Sequence, residues 1–512
     1  MIPAAAKKVA ALAGWRRYGL AFVLGAVTTL ALPPVYLFPL LFLVFPPLVW
    51  LLNGAPRKRS AFAIGWWFGF GFFAFGLYWI GNALLVISDK FAWLLPFASA
   101  GLPAFLAIFC GAATLIAWFA QGTLHRAVGL ALAWVASEWL RGHILTGFPW
   151  NLIGYAWAGN DGLIQVSALV GIYGVSLAAM LTACLPAAMA ESRKPRLIGA
   201  AALALPLLIW AGGTARLSVA PETAYVDGVG LRIVQSNIPQ REKWAAAHQE
   251  RNLRLFLDLS RANRPDWVTH VIWPETAATF FPSANPGLRR ALSAVVPPGG
   301  LLITGAPRRV DDSRRVANAM IALNETGRIV AHYDKFHLVP FGEYVPLANI
   351  LPIEKITHGK RGFTPGPGAR TLAIAGLPAF SPLICYEVIF PGHVADGSRR
   401  PAWLLNLTND AWYGLSAGPH QHLAQARVRA VEEGLPLIRA AYTGISAIVD
   451  PYGRILQQRP LNDAGAIDTR LPREIAAPPY ARWGDIPFGV ILLLSIVILF
   501  VVPGNNRKPK EQ

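Results

Sequence analysis

Long stretches of this chain carry no acidic residue, lysine or arginine. Residues 18–56 hold no Lys, Arg, Asp or Glu, nor do 61–88, 91–125, 162–190, 197–215 or 487–506. A bilayer hydrocarbon core of about 30 Å needs roughly 20 apolar residues of helix. On that measure the runs predict eight membrane spans at about 18–32, 35–53, 61–87, 93–120, 124–141, 163–190, 197–215 and 486–503. The 18–56 run is long enough for two spans, with Pro33-Pro34 as the turn between them. The apolar stretch of the fifth span is short and has Glu138 and Arg141 at its far end, so it also reads as an interfacial or re-entrant segment.

From about 218 to 484 the pattern changes: charged residues return and short apolar runs alternate with amphipathic ones. Strands are predicted at 231–237, 267–273, 301–306, 317–323, 329–333, 379–385, 403–407 and 445–450, and helices at 246–261, 286–295 and 417–433. Runs such as 268–273 and 403–407 do not alternate, as expected of strands covered on both faces. The pattern divides the chain into a seven-span membrane domain (1–217), an α/β domain (218–484), and an eighth span with a tail (485–512). Pro-, Gly- and aromatic-rich loops at 280–286, 346–368 and 411–420 are the kind that carry sites or lids.

Charge sets the orientation. Lys7, Lys8, Arg16, Arg17, Arg57, Lys58, Arg59, Arg126, Arg193, Lys194, Arg196, Arg507, Lys508 and Lys510 all fall on one side if eight spans alternate. The opposite short loops show Lys90 and Arg141. The positive-inside rule then makes both termini cytoplasmic and places 218–484 on the extracytoplasmic side. These basic residues account for most of the net charge of +18, which is therefore a topology signal and not a nucleic-acid footprint. The basic-then-apolar N-terminus is followed at once by a second span, and reads as an uncleaved anchor.

Three residues of the α/β segment carry candidate chemistry. Glu275 ends the apolar run 271–275 behind Pro274, which cannot donate to a ladder; a carboxylate at that sheet rim suits a general base, and equally a turn or cap. Lys335 closes a strand and opens the aromatic stretch 336–344; its ammonium suits an oxyanion, and Glu343 could pair with it, although both also read as surface charges. Cys385 ends the strand 379–385, and of three cysteines only it lies outside the spans. Cys110 and Cys184 read as packing residues within spans. A lone thiol forms no disulfide within the chain, so Cys385 is either a buried structural residue or a nucleophile. No metal site is indicated: His332, His337, His420 and His422 form no metalloprotease motif, and His420 and His422 read as surface or packing residues. No nucleotide-binding loop and no other cofactor motif is present.

The order Glu, Lys, Cys in 231–456 resembles the nitrilase superfamily, and most closely the apolipoprotein N-acyltransferase family. VQSNIPQREKW (234–244), VIWPE (271–275), DKFHLVPFGEYVPL (334–347), ICYEVIFP (384–391), NLTNDAWYG (406–414) and GISAIVDPYGRI (444–455) carry the resemblance, with SEWLRG (137–142) and GFPWNLIGYA (147–156) in the membrane half. It implies a polytopic helical bundle plus an extracytoplasmic nitrilase-like αββα sandwich, in the bacterial cytoplasmic (inner) membrane. It also implies transfer of an acyl chain from a phospholipid, typically phosphatidylethanolamine, to the α-amine of an S-diacylglyceryl cysteine on an apolipoprotein. Carried over, Glu275 is the general base, Lys335 the oxyanion stabiliser and Cys385 the nucleophile. Trp244, Glu343, Tyr386 and Glu387 match positions the family also needs. Tyr442-Thr443 departs from the pattern, where an Asn commonly precedes the pair ending in Gly444. A monomer without cofactor is expected.

A membrane-anchored amidohydrolase using water as acceptor and a non-catalytic envelope scaffold are the competing readings. Glu138, Arg141, Trp150 and Asn151, near the outer end of span five, read either as a helix pair with its neighbours or as a path for the lipid head group. Phe280-Phe281-Pro282 and Trp412-Tyr413 read either as core packing or as lids that keep a thioester dry. If they are lids, replacing Phe280 and Phe281 by Ser raises hydrolysis relative to transfer; an unchanged product ratio removes the lid role.

Overall fold

A computed structural model describes residues 2–310, 315–346, 355–357 and 362–501. Parts of the 346–368 loop, Leu347, and the tail with Arg507, Lys508 and Lys510 lie outside the described residues. Contacts divide the chain into two compact units: one of residues 1–78, 94–219 and 482–512, the other of 79–93 and 220–481.

The first unit is helical. Each apolar run contains a helix: Gly14–Thr28, Leu41–Asn53, Lys58–Gly76, Leu102–Trp118, Thr123–His143, Ser167–Cys184, Pro195–Ser218 and Ile486–Val501. Among the described residues, three helical stretches, Ala92–Trp118, Ser167–Ala190 and Pro195–Ser218, are long and apolar enough to cross a bilayer. Phe38–Asn53 and Ile486–Leu499 are shorter apolar helices. Small residues let the helix backbones approach. A Cβ on Gly65 would lie 2.0 Å from Thr114 Oγ1 and one on Gly69 2.8 Å from Cys110 Cβ, so Cys110 does pack a helix seam. Cys184 is likewise buried.

The third span, expected to run over 61–87, ends as a continuous helix at Gly76. Residues 79–93 belong instead to the second unit. The reason lies in two polar groups of that apolar run. Trp79 Nε1 donates to Gln421 Oε1 at 3.0 Å, and Asn82 Nδ2 donates to the Tyr413 carbonyl at 2.7 Å.

Among the described residues the second unit is built on twelve strands: β1 Tyr225–Gln235, β2 His270–Ile272, β3 Leu301–Arg309, β4 Val316–Asn324, β5 Ile329–Asp334, β6 Leu372–Ile374, β7 Leu377–Ile384, β8 Trp403–Thr408, β9 Leu437–Ala441, β10 Ser446–Val449, β11 Ile455–Arg459 and β12 Gly465–Pro472. They form two six-stranded sheets, ordered β12-β1-β2-β3-β4-β5 and β11-β10-β9-β8-β7-β6. The central pairs β1–β2–β3 and β7–β8–β9 are parallel, and their apolar runs are covered on both faces. Leu231, Ile233, Ile303, Met320, Phe380, Trp403, Leu405 and Ile438 fill the space between the sheets. On the other face of the first sheet, Val271, Trp273, Leu302 and Ile321 pack against Phe256, Leu288 and Leu292 of the helices Gln249–Arg261 and Pro286–Ser293. Helix Ala417–Glu433 packs on the second sheet, against β9.

One glycine sets where the first sheet meets the site. β3 pairs beyond β2, with Trp273 N donating to Ile303 O and Gly305 N to Pro274 O. A Cβ on Gly305 would lie 2.2 Å from Thr276 N and 2.6 Å from Glu275 Cα, so only glycine lets the strand pass under Glu275. Gly305→Ala should cost about 1–3 kcal/mol and lower the unfolding transition of the detergent-solubilised protein by roughly 2–12 °C. An unchanged transition by scanning fluorimetry contradicts this packing.

Candidate active site

The strand ends of both sheets bring the three predicted residues together. Glu275 follows β2 behind Pro274; Lys335 follows β5, with its N–H bonded to the Asn318 carbonyl of β4 at 2.9 Å; Cys385 follows β7. All three are buried. Lys335 Nζ lies 2.8 Å from Glu343 Oε2 and 3.8 Å from Glu275 Oε1. The ammonium is thus held between two carboxylates and is 1% exposed.

Asn318 was not legible as a site residue. Its Nδ2 donates to Glu275 Oε1 at 2.7 Å and to Glu343 Oε1 at 2.9 Å, bridging two carboxylates that would otherwise repel. Glu343 Oε2 also accepts from Val339 N at 2.9 Å, which anchors it within the 335–343 turn. Burial presses the Lys335 pKa down, but Glu343 and Glu275 outweigh it, with Cys385 adding to the rise whenever it is ionised, and the net shift is upward: this lysine stays charged. Burial raises the Glu275 pKa, with Glu343 adding to the rise and Lys335 opposing it. A carboxyl so placed takes a proton readily.

Cys385 adopts φ +52°, a left-handed conformation rare for a residue with a side chain. It starts the tight turn Cys385–Ile389. Burial pushes its thiol up to about 12, Glu275 adds to the rise, and Lys335 opposes it. The resting thiol therefore keeps its proton, and nucleophilic attack needs a base at hand.

Two buried networks hold that turn. Glu387 Oε2 accepts from Ile384 N at 2.7 Å and from Tyr333 Oη at 3.1 Å, while Oε1 accepts from Phe336 N at 2.7 Å and His337 N at 3.2 Å. It bonds backbone, tying the cysteine turn to the lysine loop. Burial moves its pKa to about 7 against the pull of these bonds and of Lys335. On the other side, His422 is wholly buried, and so is not the surface residue its sequence allowed. Its Nε2 lies 3.2 Å from the Cys385 carbonyl oxygen and its Nδ1 2.9 Å from Asp410 Oδ1. Arg439 Nη2 donates to Asp410 Oδ2 at 2.7 Å. Burial presses the Asp410 pKa up, but Arg439 and His422 outweigh it and hold the carboxyl below its usual range. Donor atoms of Cys385, Asp410 and His422 lie within 4.8 Å of one another, a spacing that fits a metal ion. The Arg439 guanidinium already supplies the positive charge there.

The remaining sequence candidates are placed as follows. Tyr386 is buried, edge-on to Phe390 with ring centroids 5.0 Å apart. Trp244 follows the short turn Gln240–Lys243 and is half-buried. Phe280 and Phe281 are half-buried, Phe280 against the core beneath the outer helices. The Tyr413 ring lies 4.4 Å from Trp79. In the helical unit, Glu138 Oε1 accepts from Trp134 Nε1 at 3.2 Å and Ile153 N at 2.9 Å; Arg141 Nη1 donates to the Phe148 and Trp150 carbonyls, both at 2.7 Å. These side chains brace the 148–153 loop.

The chain matches two family models: apolipoprotein N-acyltransferase N-terminal domain over residues 24–185, and carbon-nitrogen hydrolase over 231–477. It is 41% identical over 514 residues to an apolipoprotein N-acyltransferase of Rhodopseudomonas palustris, covering 95% of both chains. To those of Bradyrhizobium diazoefficiens and Rickettsia prowazekii it is 42% and 37% identical, covering 95% and 94% of this chain and 95% and 96% of theirs. Among solved structures, an amidase from Nesterenkonia sp. aligns with 53% of this chain and 98% of its own at 18% identity and a TM-score of 0.37.

The bridging amide gives a test independent of substrate. Asn318→Leu keeps the volume but removes both bonds, raises the Glu275 pKa further, and slows iodoacetamide alkylation of Cys385 near neutral pH about tenfold. An unchanged alkylation rate, read by peptide mass spectrometry, contradicts the bridge.

Proposed function

We propose that this chain, which belongs to the apolipoprotein N-acyltransferase family, works through a thioester on Cys385. Its reaction is acyl transfer from a membrane phospholipid to the α-amine of a diacylglyceryl cysteine at an apolipoprotein N-terminus. The observation that carries the residue assignment is the buried Glu275–Lys335–Glu343 cluster beside a thiol that keeps its own proton.

In the first half-reaction Glu275 takes the Cys385 proton as sulfur attacks the ester carbonyl. The oxyanion forms next to the Lys335 ammonium, which is charged before the reaction starts and needs no rearrangement. Collapse expels the lysophospholipid oxygen, which receives the proton back from Glu275. In the second half the neutral α-amine attacks the thioester, Glu275 takes its proton, and the thiol is restored. Glu343 fixes Lys335, and Glu387 fixes the cysteine turn. Tyr386 and Trp244 serve as pocket residues. Phosphatidylethanolamine is the donor in this reading and the enzyme acts as a monomer.

The cellular setting belongs to the same proposal. The apolar helices within residues 1–78, 94–217 and 485–501 form a bundle of eight spans in the bacterial cytoplasmic membrane, with both termini cytoplasmic and the α/β domain outside. The apolar runs and the one-sided basic residues support it.

In vesicles of phosphatidylethanolamine with a diacylglyceryl lipopeptide, Glu275→Gln and Lys335→Met should each lower the transfer rate by about 10²–10⁴-fold, and Cys385→Ser by at least as much. Retention of more than a tenth of wild-type transfer by any of the three overturns that residue's role. Product formed with water in place of the lipopeptide returns the amidohydrolase reading.

A further inference from the structure

The site holds a second buried ammonium, Lys243, which the sequence marked only through its neighbour Trp244. Lys243 ends the turn Gln240–Lys243 and is 1% exposed. An ammonium has three donors and no acceptor. Here it gives one hydrogen bond, to the Glu275 backbone oxygen at 3.1 Å, and lies 3.9 Å from the centroid of the Tyr442 ring. Among the described residues no carboxylate comes within ion-pair distance of it. Burying a cation with so little compensation is unfavourable, and an aromatic face offsets only part of it. A methionine would fill the same space without that penalty. The ring is supplied by Tyr442, where the sequence departs from the family pattern.

The charges around Lys243 show what it acts on. On its own turn, Glu242 is engaged by Arg251 and His248, away from the site. Across from it stand Glu275 and Cys385, and Glu275 in turn faces Lys335 and Glu343. Asp410 faces Cys385 from the far side.

We propose that Lys243 is a positioning residue for Glu275: seated on the Tyr442 ring, it fixes the Glu275 main chain and keeps the carboxylate ionised, ready to take the Cys385 proton. Burial lowers the Lys243 pKa to about 7, while negative charge on Glu275 and Cys385 opposes the fall. Lys243 thus holds its proton most firmly when Glu275 or Cys385 is an anion. The inference rests on the assignment of Glu275 as base.

The test is the pH dependence of first-turnover acylation of Cys385, read by intact mass on the full-length protein in phosphatidylethanolamine micelles between about pH 5 and 9. Glu275 works as the anion, so removing a nearby cation raises its pKa and moves the acid limb to higher pH. Lys243→Met should move that limb up by about one unit, roughly tenfold in rate below it, with an unfolding transition at or above wild type. Lys243→Arg keeps the charge and should hold the limb within about a third of a unit. Tyr442→Leu, which keeps the lysine but removes the ring, should move it in the same direction as Lys243→Met and serves if that variant does not fold. An acylating wild type with a Lys243→Met limb that coincides with it, or a Tyr442→Leu limb that does so where Lys243→Met does not fold, overturns this inference alone. A wild type that forms no acyl-enzyme overturns the thioester reading and this inference with it.

Discussion

A lysine ammonium taken out of water must find its counter-charges within the fold, because leaving one ion of a buried pair alone is strongly destabilising. Lys335 meets that demand with Glu343 at 2.8 Å and Glu275 at 3.8 Å. Much of the local architecture follows. Two carboxylates brought this close need a donor between them, and Asn318 of β4 supplies it. Asn318 reaches both because β4 pairs with β5, whose end carries Lys335, and with β3, which passes under Glu275 at Gly305. Glu343 must return to the strand from which Lys335 departs, and the tight 335–343 turn with its Val339–Glu343 bond brings it back.

The same constraint makes the thiol what it is. A buried Cys385 beside Glu275 resists ionisation, and Lys335 only partly relieves this. Reactivity is therefore created at the moment of proton transfer and not stored as a standing thiolate. The left-handed turn at Cys385 is held from two sides, by Glu387 through backbone N–H groups and by His422 through the Cys385 carbonyl. Strain at a reactive residue persists only where its surroundings over-determine it, and here both sides are fully buried.

The strands at 301–306, 317–323, 329–333 and 403–407 were legible because each is a short, mostly apolar run with a single polar residue (Thr304, Asn318, His332, Asn406), and the structure gives each a strand at nearly those bounds. The strands the sequence hid are β6, β9, β11 and β12. In β9 the reason is Arg439, a charge in mid-strand that looks like a loop signal until Asp410 and Asn406 are seen to receive it. In β11 and β12 it is the polar runs 457–459 and 468–470 at the sheet edge, which resemble a loop in one dimension. At the site, Glu275, Lys335 and Cys385 could be named because strand ends and residue types agreed. Asn318, Lys243, Asp410, His422 and Arg439 could not, since each sits in an ordinary local sequence and gains meaning only from partners far along the chain. The third apolar run misled in the opposite way: its hydropathy continues past Gly76, but Trp79 and Asn82 turn to Gln421 and Tyr413 for hydrogen bonds.

The central claim is that Cys385 carries the acyl group between donor and acceptor. Wild-type protein mixed with phosphatidylethanolamine of one defined acyl chain, with no lipopeptide present, should gain the mass of that chain at Cys385. Adding a diacylglyceryl lipopeptide should then clear the adduct faster than water does. A protein that transfers acyl groups while Cys385 never gains that mass contradicts the account.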